Sequence, residues 1–293
     1  MSRVRAVAGL LAVASLLFGL LGCTEDVPEG PLDRVEVTGD FGRRPQLIAP
    51  VPLVVQHSAT ETIIEGDGRE LADGDPVLLA YLAVDAQTGE TIDDSYTREP
   101  RVLLLSKSEA GPLYSSLLGA REGTRLLRAD PPTASTSHPT LVVYDILHTR
   151  AWGEELPPPA GADDLPTVTL GERGEPEVTI PDAEPPSQLE VVPLIRGTGP
   201  QVRTGGTITV QYTSVAWDTG EVLETTWGNG NAPQTLPFEG LIPAWQGGLT
   251  DATAGSQYMI IAPPEDAFGT DTVVFVIDVL AASTAPDPAP EGD

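Results

Sequence analysis

Cysteine, histidine and lysine, the common nitrogen and sulfur nucleophiles and ligands, are scarce in this sequence. There is one cysteine, Cys23, one lysine, Lys107, and three histidines, His57, His138 and His148. The histidines fall in no HExxH or other metal-binding spacing. A single Cys excludes a disulfide framework, a zinc ribbon and a CxxC redox pair. No GxSxG elbow, P-loop or GxGxxG fingerprint is present. Asp67, Asp73 and Asp75, and the pair Asp163-Asp164, lack EF-hand spacing and read as turns and linker. No metal site and no nucleophile motif is therefore read from these residues. The sequence also carries four Trp, six Tyr and five Phe. Taken one at a time, each aromatic reads as ordinary core packing and Glu224 as a solvated charge.

Composition narrows the partners. The 293 residues carry 16 basic and 43 acidic side chains, a formal charge of −27. Nucleic acid is excluded as a partner, because replacing its counterions needs clustered Lys and Arg. The N-terminus is the exception in charge: Arg3 and Arg5 precede an apolar stretch over residues 6–21 that is too short for a confident spanning helix. The stretch ends Leu20-Leu21-Gly22-Cys23, which resembles the bacterial lipobox. That resemblance implies a signal peptide over residues 1–22 and a lipid on Cys23. The expected location is extracytoplasmic, anchored to the membrane by lipid, with residues 23–34 as a tether.

The elements that must position the aromatic residues come in two copies. At an offset of 131 residues Pro45 meets Pro176, Pro50 meets Pro181, Gly66 meets Gly197, and Gly68 meets Gly199. Gly74 then meets Gly205, Tyr81 meets Tyr212, and Gly89-Glu90 meets Gly220-Glu221. Matching glycines at turns, with a matching Tyr between them, indicate one fold used twice. The expected domains are residues 35–150 and 167–282. A Pro-rich acidic linker over 151–166 separates them, and residues 283–293 form a disordered tail. Within the second copy, residues 207–215 (TITVQYTSV), 257–262 and 272–280 (TVVFVIDVL) predict strands, and Asp218-Thr219-Gly220 predicts a turn. Only residues 243–249 (PAWQGGL) suit a short helix, with Pro near its start. The fold class is therefore α+β: in each copy a curved antiparallel sheet covers one short helix.

Motifs in the second copy resemble the FKBP family of peptidyl-prolyl cis-trans isomerases. Gly197-Thr198-Gly199 opens the match and the strand carrying Tyr212 continues it. The segment Gly220-Glu221-Val222-Leu223-Glu224-Thr225-Thr226 is similar to the family's dG-x-x-F-D-S-S. Leu241-Ile242-Pro243-Ala244-Trp245 resembles V-I-p-G-W. Pro263-Pro264-Glu265-Asp266-Ala267-Phe268-Gly269 resembles the family's P-P-x-x-a-Y-G, and Thr272-Val273-Val274-Phe275 its closing T-L-V-F strand. The resemblance implies a pocket with Tyr212, Glu224, Trp245 and Phe268 as catalytic residues. Leu223, Leu241, Ile242 and Phe275 would bind substrate, with Trp245 as the floor. It implies no cofactor and no metal. The implied partners are Pro-containing segments of exported proteins.

The departures from the family pattern are specific. Leu223 stands where the family has Phe, Glu224 where it has Asp, and Ala244 where it has Gly. Phe268 replaces a Tyr whose hydroxyl would reach a substrate carbonyl, and only Thr270 and Asp271 remain of a longer loop. In the first copy Tyr81, Ile92 and Asp93 are in register, but Leu113 stands at the position of Trp245. That copy is expected to be a degenerate, inactive FKBP-like domain. The resemblance implies an isomerase assisting the folding of exported proteins. The alternative is a non-catalytic, chaperone-like binding lipoprotein that retains the fold.

Overall fold

The protein is described from a computed structural model covering residues 30–283, apart from Ser135 and Asn229. The expected signal peptide, Cys23, the first part of the expected tether and the expected tail beyond residue 283 lie outside the described residues. The first repeat opens with a hairpin of β1 (Glu36–Thr38) and β2 (Gln46–Ile48). A six-stranded sheet follows, made of β3 (Ala59–Ile64), β4 (Pro76–Asp85), β5 (Thr91–Asp94), β6 (Arg101–Leu104), β7 (Arg125–Asp130) and β8 (Thr140–Leu147). Two short helical turns, α1 (Lys107–Ala110) and α2 (Tyr114–Leu117), stand where one helix would be, joined by a 3-10 turn with Pro112. The second repeat has the hairpin β10 (Thr167–Leu170) and β11 (Pro176–Thr179), preceded by β9 (Glu154–Glu155). Its sheet comprises β9, β12 (Glu190–Arg196), β13 (Thr207–Ala216), β14 (Val222–Thr225), β15 (Gln234–Pro237), β16 (Gln257–Ala262) and β17 (Val273–Ala282), with α3 (Pro243–Leu249) against it. The strands of both sheets pair antiparallel, so the α+β class and its doubling hold.

Each sheet is covered on both faces, and this explains why its last strand is largely apolar on both, with one buried carboxyl, Asp145 in β8 and Asp278 in β17. In β17, Val273, Phe275, Ile277 and Val279 face α3, while Val274 and Val276 face the β10–β11 hairpin through Val168 and Val178. In the first repeat Leu141 and Val143 of β8 pack with Val37 and Leu47 of the β1–β2 hairpin, and Ile146 packs beneath α2 with Leu113 and Leu117. A strand buried on two faces loses the polar alternation of a half-exposed one.

The repeated glycines mark a backbone crossing. A Cβ on Gly66 would lie 2.2 Å from Glu122 O, and one on Gly197 would lie 2.2 Å from Ala254 O. In both places the glycine N–H donates to a hydroxyl, Thr124 Oγ1 at 3.1 Å and Ser256 Oγ at 2.9 Å. Neither position accepts a side chain, which accounts for the conserved offset between the copies.

The start of the linker is paired to the second sheet. Glu154–Glu155 pairs with Ile195 and Arg196 at the edge of the second sheet, and Leu156 N–H donates to Leu194 O at 2.8 Å. The junction ahead of it is also docked: Ala151 N–H donates to Asp278 Oδ2 at 2.7 Å, and Gln211 Nε2 to Thr149 O at 2.5 Å. Backbone amides freed by the Pro-poor start of the linker take the open edge of β12, which water would otherwise satisfy.

Candidate functional site

The aromatic residues converge where β13, β17 and α3 meet. Tyr212 sits mid-strand on β13 opposite Ile277, and Phe275 lies one inward-facing position along β17. Trp245 enters from α3 and meets both rings edge-on, at 4.9 Å and 82° to Tyr212 and 5.7 Å and 87° to Phe275. These perpendicular contacts place ring edges on ring faces, the favoured arrangement for aromatic quadrupoles. All three side chains are buried. Phe268 touches Phe275 at 6.2 Å and 65°, yet it is 60% exposed, so it forms a rim.

Local sequence explains why Trp245 is held there. Pro243 occupies the first turn of α3, where its missing N–H leaves no bond unmade. Trp245 N–H and Gln246 N–H both donate to Ile242 O, at 3.0 and 3.1 Å. The Gln246 amide reaches back to Leu241 O at 2.9 Å and Glu239 O at 3.0 Å, tying the preceding 3-10 turn Phe238–Gly240 to the helix. Gly248 lets α3 settle on the sheet, since a Cβ there would lie 2.4 Å from Ile260 Cδ1.

Glu224 arrives by a bulge. Ser214 pairs with Glu224 and Val215 with Val222, so Leu223 is the extra residue. Such a bulge re-aims its neighbours. Burial, and then the Glu224 carboxylate beside it, push the Tyr212 phenol above its ordinary value. Thr226 fixes this strand end: its Oγ1 accepts from Tyr212 N–H at 2.9 Å, and its N–H donates to Tyr212 O at 3.0 Å.

The structure thus brings Tyr212, Trp245 and Phe275 together, with Leu241 and Ile242 partly buried against the same cluster. Leu223 does not join it and is 52% exposed. Trp245 Nε1 is buried with no hydrogen-bond partner among the described residues. Cavities of about 490 and 290 Å³ lie elsewhere, one between the linker and the outer face of the second sheet, the other between the repeats. Neither includes the aromatic trio, so side-chain chemistry and not cavity size locates this site.

The first repeat builds the same frame. Ala83 pairs with Asp93 and Val84 with Thr91, which makes Ile92 the bulged residue, as Leu223 is in the second. Ser95 Oγ accepts from Tyr81 N–H at 2.7 Å, matching Thr226. Tyr81 Oη donates to Asp93 Oδ2 at 2.6 Å, and Arg98 forms an ion pair with the other oxygen, Asp93 Oδ1. Leu113 is buried in the 3-10 turn between α1 and α2, within the core of the first repeat. Sequence reasoning missed Thr226, Ser95, Gln246 and Arg98. The hydroxyl pair was visible as Thr226 and Ser95 at the 131-residue offset.

Residues 199–280 match the FKBP-type peptidyl-prolyl cis-trans isomerase domain. A probable FK506-binding protein of Corynebacterium glutamicum is 32% identical over 117 residues, which cover 37% of this chain and 98% of that protein. The chain belongs to the FKBP-type peptidyl-prolyl cis-trans isomerase family. An FK506-binding protein of Streptomyces anulatus is 31% identical over 119 residues, 36% of this chain and 96% of its own length. The crystal structure of FkpA from Escherichia coli matches at 23% identity with a TM-score of 0.31, covering 41% of this chain and 53% of that one. The FKBP match falls on the repeat that carries Trp245.

Proposed function

We propose that the second FKBP repeat accelerates cis–trans isomerisation of X-Pro bonds in exported polypeptides, from a chain held at the membrane by a lipid on Cys23. The observation that supports this most is the buried Tyr212–Trp245–Phe275 cluster, with an indole N–H that has no acceptor among the described residues. Rotation about an amide costs about 18–20 kcal/mol because resonance is lost at the twisted geometry. The twisted amide is less dipolar than the planar one, so an apolar surface that excludes water favours it over the ground state. In this reading Trp245 carries the proline ring and Tyr212 and Phe275 wall it. Leu241 and Ile242 cover its flank, and Phe268 with Leu223 supplies exposed apolar rim for the neighbouring residues. Tyr212 and Glu224 orient the substrate backbone. No bond is made or broken, so no proton or electron has to be moved.

A second reading, a binding module without turnover, is favoured by one observation. Phe268 has no hydroxyl and stands 60% exposed at the position where the family pattern has Tyr. The Trp245→Leu variant tests the first reading because it copies the Leu113 of the first repeat. Catalytic efficiency on a Leu-Pro peptide is expected to fall at least about tenfold, equivalent to about 1.4 kcal/mol of transition-state stabilisation. An unchanged far-ultraviolet spectrum and melting transition would show that the repeat still folds. Full activity in that variant places the site elsewhere. Peptide binding by the unaltered chain with no acceleration selects the binding module.

A further inference from the structure

From the equivalence of Asp93 and Glu224 we infer that the second repeat selects X-Pro segments carrying Lys or Arg close to the proline, and that Glu224 receives the cation. This rests on the isomerase reading of the pocket and names the substrate class it takes.

The first repeat supplies an internal template. Asp93 and Glu224 stand at the same register on equally bulged strands, each beside the Tyr at mid-strand. In the first repeat a guanidinium already sits there, because Arg98 pairs with Asp93 Oδ1 while Tyr81 holds Oδ2. In the second repeat the position equivalent to Arg98 in sequence is Asn229, which carries no charge. Glu224 makes no ion pair among the described residues and is exposed. The bulged register that presents a carboxylate to an arginine in one copy is therefore retained in the other without its arginine.

The surrounding charge points the same way. From residue 204 to the end of the chain there is no Lys, Arg or His. Glu239 lies in the turn that leads into Leu241. Glu265 and Asp266 lie in the turn that leads into Phe268, and Asp271 precedes the strand carrying Phe275. Like charges around an apolar site raise the local concentration of a cationic segment and repel an anionic one. The first repeat, by contrast, places Arg98 and Arg101 after its own β5.

The test compares three peptides with one Leu-Pro core, flanked by Lys, by Gln or by Glu, on the full chain. Isomerisation and, by fluorescence anisotropy, binding are measured for each. The expected order is Lys, then Gln, then Glu, with about a fivefold span at low salt, the scale of an exposed ion pair. The span should close at about 1 M salt, where the screening length is about 3 Å. Glu224→Gln should close most of it at low salt, while Glu61→Gln, a neutralisation on the edge of the first sheet, should leave it intact. Equal turnover of the three peptides, or a ranking that survives Glu224→Gln, overturns the cation inference and leaves the isomerase reading standing. The same ranking in binding with no turnover of any peptide overturns the isomerase reading and keeps the cation site. Absence of both binding and turnover overturns both.

Discussion

The two repeats place a buried carboxyl at the same point of their last strand, and they satisfy it differently. In the first, Asp145 lies opposite Arg125 and accepts from its Nε at 2.6 Å and its Nη2 at 2.8 Å. The same guanidinium donates to the carbonyls of Gly39, Asp40 and Arg43, so it staples the β1–β2 hairpin to the sheet. In the second, Asp278 lies opposite Gln257, which donates to it at 2.6 Å. Its other oxygen takes the Ala151 N–H of the junction between the repeats. Burial pushes Asp278 up to about 7, against those hydrogen bonds and the charge of Arg150. In one copy a guanidinium pairs the carboxyl, while in the other amide donors alone hold it. The fold keeps an acceptor at this point to hold a covering segment, and the donor that satisfies it differs between the copies.

The largest test of that contrast is Arg125→Leu. It leaves Asp145 buried without its cation, and breaking such a pair costs about 3–5 kcal/mol. Chemical denaturation should show that loss in the first repeat. A loss under about 1 kcal/mol would mean that Asp145 does not depend on its guanidinium, and the contrast would collapse. Asp278→Asn comes next. The native carboxyl has a raised value against an ordinary 3.8, so the folded state holds a proton that the unfolded chain releases. Its stabilising contribution is full below about pH 4 and is lost as pH rises towards about 7. Thermal melts from pH 4 to pH 8 should therefore decline in the unaltered chain and decline less in the variant. Parallel curves would assign the slope to other groups. The smallest effect is expected from Arg98→Ala, since the pair is exposed and worth under about 1 kcal/mol. Asp93 is held below the usual carboxylate range by the Tyr81 hydrogen bond, with Arg98 contributing. Its titration, followed by nuclear magnetic resonance, should move up in the variant while the fold is unchanged.

Much of this architecture was legible in the residues. The runs TITVQYTSV and TVVFVIDVL predicted β13 and β17, PAWQGGL predicted α3, and the 131-residue offset predicted a second use of one frame. The aromatic trio was legible only through family motifs, because Tyr212, Trp245 and Phe275 lie 33 and 30 residues apart and no local period joins them. Other features were not legible at all. Glu154–Glu155 has no apolar alternation, and it becomes a strand only because β12 offers unpaired backbone beside it. The hairpins of β1–β2 and β10–β11 are three or four residues per strand and owe their form to the sheet faces they cover. Arg98 belongs to a turn, and nothing in its spacing shows that it folds back onto Asp93. Asp278 sits in an apolar run where its parity with Val274 and Val276 was readable, but its partner, Ala151, was assigned to a linker.

The two-residue strand β9 has a consequence for how the second repeat can be isolated. A fragment starting at residue 167 would leave the outer backbone groups of Ile195 and Arg196 bare, in a strand whose neighbouring residues include Val191, Val192, Leu194 and Ile195. An uncovered strand of that composition is a template for another copy of itself, and pairing between copies leads to aggregation. The acidic pair Glu154-Glu155 thus serves as a molecular selvage: it finishes the sheet with backbone that bonds inward and side chains that repel a second sheet outward.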